Sequence, residues 1–243
     1  MVVTKGLTLK TASVYGVPEP DGSEPANSRD QQNSAPAFYG GTPPWLAICF
    51  WLCIMIALAA ATRRFITLAR PSGGSLVSGL DNTFASRTAL TLGHIIPATA
   101  FVILAPVVLF RTSRKRWLER ALLLLGAIVG ITAYAMSVDA FGGWIERTAV
   151  LFFNSLFLFS LVRSFHYGHA GLAIQSRQWL TRAVGILLGI ATTRPVMGVF
   201  FATSRLTHLG PKQFFGIAFW IGFSINTIVV EMWLGGLIGN RLR

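Results

Sequence analysis

Acidic residues are scarce in this chain: nine Asp and Glu stand against 21 Lys and Arg in 243 residues. Charged residues of either sign make up only 12% of it, about half of what a soluble domain carries. That shortage excludes an ordinary water-facing surface. Cysteine is nearly missing as well. Cys49 and Cys53 lie one helical turn apart inside an apolar run, which gives neither a disulfide framework nor a metal site. They read as two small buried residues on one side of a helix. Also lacking are a nucleophile elbow, a phosphate loop, a His-Glu-x-x-His pair and a dinucleotide fingerprint. The chain therefore reads as non-catalytic.

Apolar sequence is what the chain has in quantity. Hydrophobic residues are 53% of it and the mean hydropathy is +0.58. Six apolar runs predict helices at 45–62, 88–110, 120–138, 147–163, 183–203 and 213–237. Each is close to the roughly 20 residues that cross a bilayer. The expected fold is an all-α integral membrane bundle of six transmembrane helices, residues 45–243. Ahead of it lies a polar, mostly irregular N-terminal tail, residues 1–44, rich in Ser, Pro, Gly and Asn. A tail ordered without a core of its own needs a partner surface.

The net charge of +12 raises nucleic acid as a partner. Its placement argues against that. The cations fall in short gaps between apolar runs, the pattern of a membrane protein facing anionic lipid. With six spans, thirteen Lys and Arg fall on the side shared by both termini and seven on the other, leaving Arg194 inside a run. The excess predicts both termini in the cytoplasm. Gly126 with Gly130, and Gly185 with Gly189, have the spacing of close helix contacts within the chain.

Charge inside a span is costly and needs a reason. Arg194 lies in the fifth run, and Asn226 and Glu231 in the sixth. Counting about 1.5 Å per residue from the ends of the runs puts Arg194 and Asn226 at similar depth. The structural expectation is an Arg194–Glu231 pair, helped by Asn226, that locks the last two helices. The functional one is a polar site for a proton, an ion or an anionic ligand. His94 lies inside the second run. A lone histidine there is ordinarily hydrogen-bonded to a neighbouring helix; the sharper reading is haem ligation, with His208 as the candidate second ligand. His166 and His169 give two metal ligands without a third. Asp139 and Glu146 flank Phe141-Gly142-Gly143-Trp144 and read as a solvated turn.

Several of these residues form a pattern: Gly93-His94, Arg116-Trp117-Leu118-Glu119-Arg120, Phe141-Gly142-Gly143, Ser176 to Arg182, Arg194, and Trp220 through Asn226 to Glu231. Together, over about 87–233, they resemble the bacterial multi-pass membrane proteins of the domain of unknown function 2306 family. The resemblance implies a bacterial cytoplasmic membrane and no established activity. It also implies a His ahead of each Arg-Trp type box, where this chain has Lys115 and Ser176. A haem or metal site built on those histidines would be lost here, with only His94 matching. The expected role is an accessory or structural subunit of a larger respiratory or photosynthetic membrane complex. The alternatives are a b-type haem or quinone-binding redox protein using His94, and a small-solute or proton transporter using Arg194 and Glu231.

Overall fold

The structure, a computed structural model, describes residues 43–69, 88–110, 115–138, 140–207 and 211–239. Residues 1–42 of the predicted tail, Asp139 and His208 lie outside them. Six helices fill the described residues: α1 (Pro44–Ala69), α2 (Thr88–Phe110), α3 (Arg116–Ser137), α4 (Gly143–His169), α5 (Ala173–Thr207) and α6 (Pro211–Gly239). All six are long and apolar enough to cross a membrane. The chain is an integral membrane protein.

The apolar runs located every helix and understated five of them. Only α2 has the predicted bounds; α5 starts ten residues earlier than expected, at Ala173. A hydropathy run marks the part of a helix that lipid solvates. The helix itself continues until its backbone finds caps. At the end of α4 that stop is Gly171, whose φ of 76° lets the chain reverse tightly. The Leu172 N–H then reaches the Tyr167 carbonyl at 3.0 Å, closing a Schellman turn into α5.

Consecutive helices run antiparallel, so α1 and α5 begin at one end, called here the basic end, where α2, α4 and α6 finish. Phe101, Leu109, Leu122, Phe153, Phe157 and Ala183 belong to the shared apolar core. The glycine pairs bring helices close inside the chain. A Cβ on Gly126 would lie 2.7 Å from Leu161 of α4, and one on Gly130 would collide with Leu158. Gly185 abuts Val230, and a Cβ on Gly189 would meet Phe223 at 2.6 Å. Small residues here let α3 approach α4, and α5 approach α6.

The helix α1 stands apart. Only 6% of its apolar window is buried, against 28–44% in the other five. Its inner face touches the bundle through Phe50, which meets Phe110 edge-on at 5.3 Å, and through Ile54. Its opposite face exposes Trp45, Ile48, Leu52, Met55 and Ile66. Cys49 is exposed, which corrects the buried reading, while Cys53 is partly buried.

Candidate functional site

The register of α5 against α6 decides which charges meet. Gly185 faces Val230 and Gly222 faces Thr193, whose backbone N would lie 2.7 Å from a Cβ on that glycine. Glu231 therefore falls opposite Arg182, and Arg194 falls opposite the Trp220 level, about three turns further along α5. The expected Arg194–Glu231 pair does not form. Arg182 instead grips Glu231 with two donors, Nε at 2.6 Å and an Nη at 3.1 Å. A depth counted from residue 183 puts Arg194 too near the basic end, because α5 starts ten residues earlier, at Ala173. Arg194 is exposed on the bundle surface.

Around the Arg182–Glu231 pair the basic end is built from cations and rings. The Arg182 guanidinium lies over the Trp179 ring at 4.6 Å, and that of Arg163 lies 5.3 Å from the same ring. Arg163 also donates to the Tyr167 hydroxyl at 2.6 Å. Its Nε is buried and has no hydrogen-bond partner among the described residues. Phe159 meets Trp179 edge-on. A line of contacts thus runs Tyr167–Arg163–Trp179–Arg182–Glu231 across α4, α5 and α6. Arginine suits it because a planar guanidinium both forks onto a carboxylate and stacks on an aromatic face. Trp179 is the hub of the cluster.

Two further contacts fix this end. Ser164 and Ser176 exchange hydrogen bonds to each other's carbonyls, each at 2.9 Å, and clamp α4 to α5. Arg177 donates to the Leu109 carbonyl at the last turn of α2. Cations favour that position because the final carbonyls of a helix are unsatisfied and carry the negative end of its dipole.

Asn226 belongs to a separate network deeper in the span. Its Oδ1 accepts from the Thr192 hydroxyl at 2.7 Å and its Nδ2 donates to the Gly185 carbonyl at 3.3 Å. Cys53 Sγ lies 3.8 Å from the same hydroxyl, which ties α1 into the network. Asn154 does similar work between α4 and α3, donating to the Gly130 carbonyl at 2.9 Å. Sequence reasoning passed over Thr192 and Asn154. The signal available was a polar residue in mid-run, next to the close-packing glycine of a neighbour.

His94 of α2 meets Thr132 of α3, Nδ1 to Oγ1 at 2.9 Å. The Thr132 hydroxyl also lies 2.7 Å from the Ile128 carbonyl and 3.0 Å from the Val129 carbonyl, acceptors for its hydrogen that leave its oxygen open to the Nδ1–H tautomer of His94. His166 and His169 belong to the far end of α4, away from His94. Among the described residues no group of three or more His, Cys, Asp or Glu gathers as a metal site.

Glu146 overturns the solvated-turn reading. It is 9% exposed, and its carboxylate accepts from the Gly142 N–H at 2.5 Å, capping its own helix start. Gly142 and Gly216 allow α6 to approach there; a Cβ on Gly142 would lie 3.0 Å from the Gly216 nitrogen. Trp220 closes the same corner, donating to the Ile145 carbonyl at 3.2 Å.

The residues singled out thus separate into four places: Glu231 on the basic-end cluster, Asn226 in mid-span, His94 between α2 and α3, and Arg194 on the surface. No protein-family model, curated protein or solved structure matches this chain.

Proposed function

We propose that this protein is a non-catalytic accessory or structural subunit of a larger membrane assembly. The observation that carries the reading is α1, which leaves nearly all of its apolar window unburied while the other five helices pack together. A span so weakly held by its own bundle presents a long stripe, Trp45, Ile48, Leu52, Met55 and Ile66, to a neighbour in the bilayer. The ionic and polar groups of the bundle support the same reading. Glu231 is held by Arg182, Asn226 by Thr192 and Gly185, and Glu146 by Gly142. Groups engaged this way stabilise helix contacts and need no substrate.

The resemblance to the domain of unknown function 2306 family is part of this proposal, carried by Trp179, Arg182, Arg194, Asn226 and Glu231. So is a bacterial inner-membrane location with the basic end, and both termini, in the cytoplasm. Extraction of the native membrane in mild detergent, followed by mass spectrometry of co-migrating chains, tests the role. A stoichiometric second polypeptide supports it. A lone 26.4 kDa species that persists across detergents contradicts it.

A second reading rests on His94. In the tautomer whose Nδ1–H donates to Thr132, Nε2 carries the lone pair that an axial haem ligand needs. The described residues offer no second histidine near it, so they do not fit a bis-histidine haem. A visible spectrum of the purified protein decides: a Soret band abolished by His94→Ala would establish the redox reading.

A further inference from the structure

Arg194 of α5 is left out of the pairings that hold Glu231, Asn226 and Glu146. It is exposed on the bundle surface, inside a candidate span that runs from Ala173 to Thr203. An arginine placed there is costly unless a partner answers its charge. Among the described residues, the charged groups that act on it are Arg64 and Arg63 of α1, both cations. The described acids are elsewhere. Glu119 opens α3 at the basic end, Glu231 is held by Arg182, and Glu146 folds back onto Gly142. Like charges gathered in an apolar medium raise each other's cost, so this corner between α1 and α5 favours an anion.

The same corner continues the open face of α1. Leu52, Ala59, Arg63 and Ile66 succeed one another at helical spacing, which puts them on one stripe, and all four are exposed. Arg64 is half-buried, on the flank of α1 that carries Cys53 toward Thr192 of α5. A helix laid along the stripe meets Arg63 directly and has Arg194 at its side.

Depth decides between a lipid phosphate and a protein carboxylate. Arg194 lies nine residues, roughly 14 Å, inside the end of its span at Thr203. Its Cα–Cβ bond leans toward the start of α5, which is the basic end, and so away from the nearer membrane surface. Arg63 and Arg64, in the last two turns of α1, lie closer to that surface. A phosphate stays among the headgroups, where it would answer those two and leave Arg194 in hydrocarbon. A carboxylate on a neighbouring span can be set at the depth of Arg194.

We propose that the corner formed by Arg63, Arg64 and Arg194 docks a transmembrane helix of a partner protein that carries an aspartate or glutamate within its span, paired with Arg194. The inference rests on the subunit reading and adds the chemistry of the partner to it. The partner's apolar residues cover the stripe of α1, and its carboxylate answers the charge that this bundle leaves open.

The test extracts the native membrane in mild detergent and measures, by mass spectrometry, the polypeptide that co-migrates with the full chain and its variants. Arg194→Leu is expected to lower the amount retained by about tenfold or more, as loss of one member of a desolvated charge pair does. Arg194→Lys keeps the charge and keeps most of the partner. Val199→Leu, exposed on another face of α5, changes nothing. Helicity by circular dichroism establishes that each variant folds. The partner's own sequence is expected to hold an Asp or Glu inside an apolar run. Exchanging that acid for Asn or Gln lowers retention by wild type and has no further effect on Arg194→Leu. A partner retained equally by wild type and Arg194→Leu overturns this inference and leaves the subunit reading standing. So does a partner without an acid in its spans. A phospholipid lost from Arg194→Leu while the polypeptide stays gives the corner to a headgroup and overturns it too. A wild-type extract without a second polypeptide overturns both readings.

Discussion

Glu231 of α6 is bound through both carboxylate oxygens by Arg182 of α5, and the Arg182 guanidinium lies over Trp179. One arginine thereby joins a charge on one helix to a ring cluster shared with another. The pair lies near the end of the bundle; the Arg182 side chain is 18% exposed and that of Glu231 is 49% exposed. The bundle leaves both side chains partly uncovered, and a modest coupling is expected.

A double-mutant cycle on Arg182→Gln and Glu231→Gln therefore gives a coupling of roughly 0.5–1 kcal/mol, as for part-exposed pairs. Substitutions of Arg194 and Glu231 add independently, because the two side chains belong to levels about three turns apart. Reversible unfolding in mixed micelles measures both. Coupling between Arg194 and Glu231 with none at Arg182 would refute the register.

Much of the architecture was legible in the sequence because lipid imposes one requirement, a helix of about 20 apolar residues, and six runs meet it. Glycines spaced four apart likewise pointed to the close contacts at Gly130 and Gly189. The pairing of charges was not legible. Arg182 and Arg194 are both arginines on one helix, and choosing between them needs the register of α5 on α6. That register depends on where α5 begins, in a polar stretch around Ala173 to which hydropathy is blind. Glu146 was misread for a related reason: composition cannot tell a solvated turn from a carboxylate folded back onto its own helix start.

Glycine substitutions separate the packed contacts from open ones. Gly222→Ala places a methyl group against the Thr193 backbone and Gly189→Ala places one 2.9 Å from the Phe223 Cα. Backbone cannot give way as a side-chain tip can, so each is expected to cost about 1–3 kcal/mol. Gly93→Ala and Gly198→Ala meet nothing within 4 Å. They are expected to be neutral or to stabilise by roughly 0.5–1 kcal/mol through helix propensity. Equal effects in the two sets, read by thermal unfolding, would contradict the α5–α6 contact.

Replacing Asn226 by Leu removes one acceptor and one donor from the Thr192–Gly185 network. Hydrogen bonds between spans are worth about 0.6 kcal/mol each on average. A loss of roughly 1 kcal/mol is expected for Asn226→Leu. Thr192→Val made in the same background adds little, since its partner has already gone. Full additivity, with both single variants destabilised, would show that the two side chains act apart.

The cysteines report on α1. Cys49 is exposed and Cys53 is partly buried beside Thr192. A membrane-permeant maleimide is expected to modify Cys49 well before Cys53 in intact membranes, as peptide mass spectrometry would show. The reverse order would mean that α1 is rotated about its axis relative to this arrangement.

The account stands on α1 offering its open face to another protein. Photo-crosslinking from a benzophenone amino acid at Met55, in the native membrane, examines that face directly. The account predicts a discrete adduct with a second polypeptide, absent when the same group replaces Ala57 on the inward face. Crosslinks to lipid alone from Met55 would contradict it.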